Sequence, residues 1–183
     1  RTAGTVTQIS DVTLNGNLDI KQGIFQINDG AIRRLKLIIN GDVTVDNSTS
    51  ILTGTGGTRS NPGPIPSITG NTGSFLNYYE LNSHRVQVYG NFTNNGTVRF
   101  SNLTYPVYNQ FPADGFVTVY FNGGADKTLT CNGRTDFYNL VIDKGTDQTF
   151  KLTVSSSAYN NFRIFGANTS DGSTTLRVAT AAN

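Results

Sequence analysis

A glycine-centred pattern that occurs three times constrains the fold of this chain more than any other feature. It reads VTLNGNLDI around Gly16, LIINGDVTV around Gly41 and VQVYGNFTN around Gly90. Apolar residues lie two and four places before each glycine and two places after it, which is the period of a strand with one buried face. Because glycine tolerates positive φ and the close approach of another backbone, we expect each of these glycines to mark a structural turn.

The spacing of this pattern predicts a repeat architecture. The first two glycines are 25 residues apart and the last two are 49 apart, which is close to twice the first spacing. Repeats of this length are typical of units that bury their apolar faces against their neighbours. A second strand is predicted after each glycine, in GIFQI from Gly23, SILT from Ser50 and GTVRF from Gly96. We therefore predict an all-β fold, a single-stranded parallel β-helix (β-solenoid) with a coil of about 25 residues.

The main alternative fold is an antiparallel β-sandwich. Further short strands are predicted in the C-terminal third, in VTVYFNG, KTLTCNG, FYNLVIDKG, FKLTV, FRIFG and TTLRV. Closely spaced strands also occur in sandwiches, but the common repeat favours the solenoid. The length of 183 residues suits a single module over residues 1–183. Because the chain starts at Arg1 and contains no methionine, we expect the module to be a fragment of a larger chain.

Two segments interrupt the repeat and are predicted to leave the solenoid wall. Residues 54–83 are rich in Gly, Pro, Asn and Ser, and residues 103–115 combine prolines with aromatic residues. Long loops on a rigid scaffold often carry function, and aromatic rings stack on sugar rings. The candidate ligand-binding residues are therefore the aromatic side chains of these segments, Tyr78, Tyr79, Tyr105, Tyr108 and Phe111. The alternative is that these rings only cover the solenoid or anchor the loops.

Residues suited to catalysis are few. Glu80 is the only glutamate and His84 the only histidine, so a zinc site built from several histidines is excluded. Glu80, His84 and Arg85 are the catalytic candidates, because an acid, an imidazole and a cation would meet at the end of the first excursion. The alternative is a packed loop with a surface ion pair. We expect no metal site and no cofactor.

Composition argues against two classes of partner. Only 14% of residues are charged and the net charge is +2, which is too little to indicate nucleic acid. No apolar run has the length of a membrane span. The single cysteine, Cys131, cannot form a disulfide within the chain, and its LTCNG context predicts a small buried residue.

Three phrases resemble a known group of proteins. They are INGDVTVDNSTSILTGTG from Ile39, VYGNFTNNGTVRFSN from Val88 and VYFNGGADKTLTCNGRTDFYNLVIDKG from Val119. They resemble the β-helical repeat regions of large secreted or outer-surface bacterial proteins, including those exported by type IX secretion, over most of residues 12–154. The resemblance implies a location outside the cell, membership of a multidomain chain, and roles in adhesion, spacing or polymer contact. It supplies no catalytic residue.

The function expected from these observations is that of a non-catalytic structural or adhesive module at the bacterial outer surface. Its partners would be a glycan or a surface protein, together with neighbouring domains of the same chain. The alternative is a carbohydrate-active β-helix enzyme, a polysaccharide hydrolase or lyase.

Overall fold

Short β-strands make up the regular structure of this chain. The computed structural model describes residues 4–28, 34–54, 84–100, 117–145, 149–164 and 176–179, and these residues form strands and no helix. In chain order the strands are β1 (Thr5–Gln8), β2 (Val12–Leu14), β3 (Leu18–Ile20), β4 (Gly23–Ile27), β5 (Lys36–Ile39), β6 (Val43–Val45), β7 (Ser50–Gly54), β8 (His84–Val88), β9 (Phe92–Asn94), β10 (Thr97–Arg99), β11 (Val117–Asn122), β12 (Lys127–Cys131), β13 (Arg134–Phe137), β14 (Asn139–Asp143), β15 (Leu152–Ser156), β16 (Phe162–Ile164) and β17 (Leu176–Ala179).

The strands form three sheets that the chain visits in rotation. Sheet A has the order β1-β4-β7-β10-β13-β16, sheet B the order β2-β5-β8-β11-β14-β17, and sheet C the order β3-β6-β9-β12-β15. Each strand thus pairs with strands three places away in chain order, and every pairing among the described strands is parallel. The antiparallel sandwich is therefore wrong. Three stacked parallel sheets fit a β-helix, in which each coil lies on the previous one.

The distance along the chain between stacked residues varies. The hydrogen bond from the Asp42 N–H to Asn17 spans 25 residues, whereas the bond from the Asn91 N–H to Asp42 spans 49. Because β8 pairs directly with β5, the longer spacing is one step between neighbouring strands, and taking it as a doubled repeat was wrong. The additional residues, 55–83, lie between β7 and β8 in sequence. Gly54, which opens the predicted excursion, instead ends β7.

Alternate residues of the strands face one apolar interior. The interior rows include Leu37, Val86 and Val119 in sheet B, Val43, Phe92 and Leu129 in sheet C, and Leu52 and Val98 in sheet A. None of these side chains is more than 1% exposed, and all belong to one cluster of buried residues. The alternation read from the sequence therefore assigns these side chains to the correct face, because successive residues of a strand point to opposite sides.

Phenylalanine rings fill the later part of this interior and connect the sheets. The Phe137 ring centroid lies 6.0 Å from that of Phe92 and 5.9 Å from that of Phe100. Phe92 in turn lies 6.3 Å from Phe121, and Phe162 lies 5.7 Å from Phe137. These centroid distances are within the favourable range for aromatic pairs. Phe92, Phe121 and Phe137 belong to sheets C, B and A, so the cluster holds all three sheets together.

The repeated glycines stack at the turn between sheets B and C. A Cβ added to Gly41 would lie 2.7 Å from the carbonyl carbon of Gly16, and one added to Gly90 would lie 2.5 Å from the carbonyl carbon of Gly41. None of these three has a left-handed φ; the described glycines that do are Gly23, Gly123 and Gly145. Glycine is therefore required at positions 41 and 90 because a side chain there would collide with the backbone of the neighbouring coil.

A column of side-chain acceptors runs beside these glycines. Asn17 Oδ1 accepts the N–H of Asp42 at 2.9 Å, Asp42 Oδ1 accepts the N–H of Asn91 at 2.7 Å, and Asn91 Oδ1 accepts the N–H of Thr128 at 3.0 Å. We call Asn17, Asp42 and Asn91 the corner column. At a corner the strand ladder is interrupted, so these acceptors satisfy backbone donors that would otherwise lack a partner in the next coil.

Candidate functional site

His84, the predicted imidazole, lies in the interior of the protein. It is the first residue of β8, it is 0% exposed, and its Nδ1 accepts the backbone N–H of Leu35 at 3.0 Å. An Nδ1 that accepts a hydrogen bond leaves the proton of the neutral ring on Nε2. His84 therefore has a structural role, since its hydrogen bond connects β8 to Leu35, the residue that precedes β5.

Arg85 lies on the opposite face of β8. Its guanidinium carbon is 4.0 Å from the centroid of the Tyr120 ring, which is a cation–π distance. Because consecutive strand residues point to opposite sides, β8 separates the His84 and Arg85 side chains. The third catalytic candidate, Glu80, lies outside the described residues.

The predicted aromatic platform also lies outside the described residues. This applies to Tyr78, Tyr79, Tyr105, Tyr108 and Phe111 and to the excursion at 103–115, so the platform stays a prediction. The described chain has its most exposed aromatic ring elsewhere, at Tyr159, which is 98% exposed at the turn between β15 and β16. One tyrosine in an Asn-rich turn carries no distinctive pattern, so the sequence does not mark this residue as exposed.

Cys131 is fully buried, as its sequence context predicts. Burial raises the pKa of its thiol above the ordinary value, and a hydrogen bond with the Thr135 side chain opposes that rise. A buried thiol with a raised pKa is a poor nucleophile because the thiolate is the reactive form. This residue is therefore part of the core packing.

A buried lysine lies where β14 ends. Lys144 Nζ donates to the carbonyl oxygen of Asn122 at 3.1 Å, and Asn122 Nδ2 donates to Asp143 Oδ2 at 3.2 Å. Burial lowers the pKa of Lys144, with a smaller contribution in the same direction from Lys127. These contacts connect the ends of β11 and β14. They hold this corner together.

Sequence reasoning missed a cluster of three arginines and one aspartate on sheet A. Arg99 of β10 is the register partner of Asp136 of β13, and Asp136 is the partner of Arg163 of β16. Asp136 accepts hydrogen bonds from Nε of Arg134 and from Nε of Arg163, the latter at 2.9 Å. We call Arg99, Arg134, Asp136 and Arg163 the arginine patch. Arg134 and Asp136 share one strand, but Arg163 lies 27 positions from Asp136 and Arg99 lies 37 positions from it (136 minus 99), so only the strand register brings these two arginines to the aspartate.

Several acidic side chains of the described residues bind backbone groups and do not cluster as metal ligands. Among residues 4–28, 34–54, 84–100, 117–145 and 149–164, no three His, Cys, Asp or Glu side chains are grouped so that they could hold a metal ion. The carboxylates of Asp11, Asp42 and Asp126 instead accept backbone N–H groups at 2.7–2.8 Å. These acids are used to connect coils.

Comparisons with known proteins add no assignment. The chain matches no protein-family model, no curated protein and no solved structure. In the part of the chain that the structure describes, no helix has the length and apolar character needed to cross a membrane.

Proposed function

We propose that the chain is a non-catalytic structural module, a stiff closed parallel β-helix that acts as a spacer and adhesive element in a secreted or cell-surface bacterial protein. The observation that carries this proposal is that four of the described aspartates are engaged in hydrogen bonds within the fold. Asp11, Asp42 and Asp126 each accept the backbone N–H of a neighbouring coil, and Asp136 accepts two arginine Nε groups. Glycoside hydrolysis in most families needs a pair of carboxylates free to act on either side of one bond.

The continuous interior supports the spacer role. Buried side chains of all three sheets form one apolar cluster, and side-chain hydrogen bonds at the corners connect each coil to the next. A body held together at every step along its axis resists bending and extension, as stacked repeat proteins do. The resemblance to β-helical regions of bacterial surface proteins is the support for a location outside the cell.

Two measurements test the proposal. Reducing-end release from neutral and acidic polysaccharides should stay at background with the full chain, and an antibody against the module should label intact cells that produce it. Turnover that disappears in Glu80→Gln, while a Tyr159→Ala control retains it, would instead establish the enzyme alternative. Labelling only after the cells are opened would exclude the surface role.

A further inference from the structure

The arginine patch faces outward from sheet A. The residues on either side of Arg99, Val98 and Phe100, are 0% exposed and belong to the interior, as are the Thr135 and Phe137 neighbours of Asp136. Because side chains alternate along a strand, Arg99 and Asp136 project from the outer surface. Arg163 is the register partner of Asp136 on the next strand and shares this face.

A buried acid organises the patch. The side chain of Asp136 is 1% exposed, whereas those of its partners Arg134 and Arg163 are 44% and 37% exposed. The Nε contact uses only one of the five N–H donors of the Arg134 guanidinium. Asp136 therefore holds the Nε atoms of two arginines from a buried position, and the side chains of both arginines remain partly accessible to solvent.

The described residues of the patch comprise three arginines and one aspartate. Asp136 accepts a hydrogen bond from Arg134 and one from Arg163, and Arg99 is its register partner on the neighbouring strand. Within the described part of the chain, Nε of Arg99 is buried and has no hydrogen-bond partner. One arginine would have sufficed to pair Asp136, so the presence of Arg99 and Arg134 on the same outer face points to an anionic ligand.

The geometry points to carboxylate groups of an acidic polysaccharide, and we propose that the arginine patch binds them. Neighbouring strands are ~4.8 Å apart, so the backbones of Arg99 and Arg163 are separated by ~10 Å, and the cations are spread along the stack of coils. Arginine binds carboxylates through two parallel hydrogen bonds, which suits uronate groups carried on successive sugars. Arg99, Arg134 and Arg163 contact the ligand, and Asp136 is a positioning residue.

The charge of the protein favours a polysaccharide over nucleic acid. Duplex DNA carries one charge per ~1.7 Å of its axis and is bound by broad basic surfaces. This chain has a net charge of only +2. The proposal deepens the adhesive role given above and rests on it for the choice of ligand, but it concerns described residues and not the loop aromatics.

The test is binding of the full chain to polygalacturonate, with neutral dextran and single-stranded oligothymidylate as comparison ligands, measured by calorimetry at low salt. Polygalacturonate should bind, dextran should not, and oligothymidylate should bind more weakly. Arg99→Gln should weaken polygalacturonate binding roughly fivefold. The affinity of Arg99→Lys should lie between those of Arg99→Gln and the native chain. The matched control is Lys36→Gln, which removes one positive charge from exposed Lys36 on sheet B and should change affinity less than about twofold.

Folding of each variant is checked by far-UV circular dichroism and denaturant unfolding. Among the described residues, Nε of Arg99 has no hydrogen-bond partner, so the loss of Arg99 should leave the fold intact. The double variant Arg99→Gln/Arg134→Gln should lose binding while remaining folded. The proposal is overturned if folded native protein does not bind polygalacturonate, if Lys36→Gln weakens binding as much as Arg99→Gln does, or if oligothymidylate binds more tightly. These assays do not measure turnover or cell-surface labelling, so this proposal and the spacer function can fail separately.

Discussion

Single residues in this protein are constrained most strongly where two coils touch. At Gly90 an added Cβ would meet the backbone carbonyl of Gly41, which cannot move without separating the coils. Gly16 begins the same column and has nothing within 4 Å of an added Cβ, because no described coil lies on that side of it. The same residue type in the same sequence pattern is therefore required at one position and replaceable at the other.

This difference gives a matched pair of substitutions. Gly90→Ala should lower the free energy of unfolding by about 2–3 kcal/mol, since overpacking against backbone forces the coils apart. Gly16→Ala should change it by less than about 0.5 kcal/mol. Urea denaturation of both variants measures the two values, and equal losses would show that the close approach of Gly41 and Gly90 does not limit packing.

The buried thiol of Cys131 gives a prediction about reactivity and pH. Iodoacetamide should modify the native protein at least ~100-fold more slowly than the urea-unfolded protein at neutral pH, because the folded thiol is buried and protonated. Since folding raises its pKa, the stabilisation linked to this thiol is fully present below the unfolded pKa and is lost as the pH rises toward the folded pKa.

The pH dependence of stability is measured by denaturant unfolding near pH 7 and near pH 10. The native protein should lose more stability over this interval than Cys131→Ala does. A Cys131→Ala variant with the same loss would show that other groups cause the alkaline sensitivity, and rapid alkylation of the folded chain would contradict the burial.

At the scale of elements, hydrogen-bonding side chains connect coils where the strand ladders stop. The corner column is one example. Asparagine pairs are a second, with Asn40 Nδ2 donating to Asn15 Oδ1 at 3.2 Å at the same turn and Asn132 Nδ2 donating to Asn95 Oδ1 at 2.8 Å at the turn between sheets C and A. A buried or half-buried backbone donor without an acceptor costs free energy, so each contact adds to the cohesion of neighbouring coils.

Asp42 is the position at which this contribution can be measured. Asp42→Ala removes the acceptor for the Asn91 N–H and should cost about 1–2 kcal/mol of unfolding free energy. Asp42→Asn keeps a side-chain oxygen at the same place and should recover most of the loss. Thermal unfolding of both variants tests this, and equal destabilisation by the two would mean that the charge of Asp42, and not its acceptor geometry, matters.

The elements also decided which predicted site residues meet. His84 and Arg85 are adjacent in sequence, yet β8 directs one inward and the other outward. Conversely, Thr44, Thr93 and Thr130 lie 49 and 37 residues apart in sequence but are register partners on the outer face of sheet C. Adjacent residues of one strand therefore point to opposite faces and do not share a site. Residues of neighbouring strands can share a face, and the register decides which of them meet.

At the scale of the whole molecule, the interior is shared by all three sheets, so damage at its centre should affect the entire stack. Phe137 contacts rings of Phe92, Phe100 and Phe162. Phe137→Ala should cost about 3–5 kcal/mol because it leaves a cavity in a cluster that cannot close around it. The control is Tyr159→Ala, which removes a 98% exposed ring and should be nearly neutral in the same denaturant titration.

The stack should also be unequally stable along its axis. Phe92–Asn94 is paired on both sides and lies in the interior of sheet C, whereas Leu152–Ser156 is the last strand of that sheet and is mostly exposed. Amide hydrogens of the outer strand should exchange at least ~10-fold faster than those of the central one. Hydrogen-exchange mass spectrometry measures both peptides, and uniform protection would indicate that a further layer covers β15.

The sequence by itself determined most of the strand positions, the inward and outward faces and the turn glycines, because strand periodicity and turn chemistry are local properties of a few residues. Two strands, β1 and β13, were not predicted; in β13 the segment RTDF alternates charge with little apolar content. Only the tertiary structure decided which strands are neighbours across 49 and 37 residues. The entropic cost of closing a loop grows only slowly with its length, so strands separated by a short or a long insertion can both pair. Sequence spacing therefore does not identify the partner strand, which depends on how the side chains pack. The arginine patch follows from that packing.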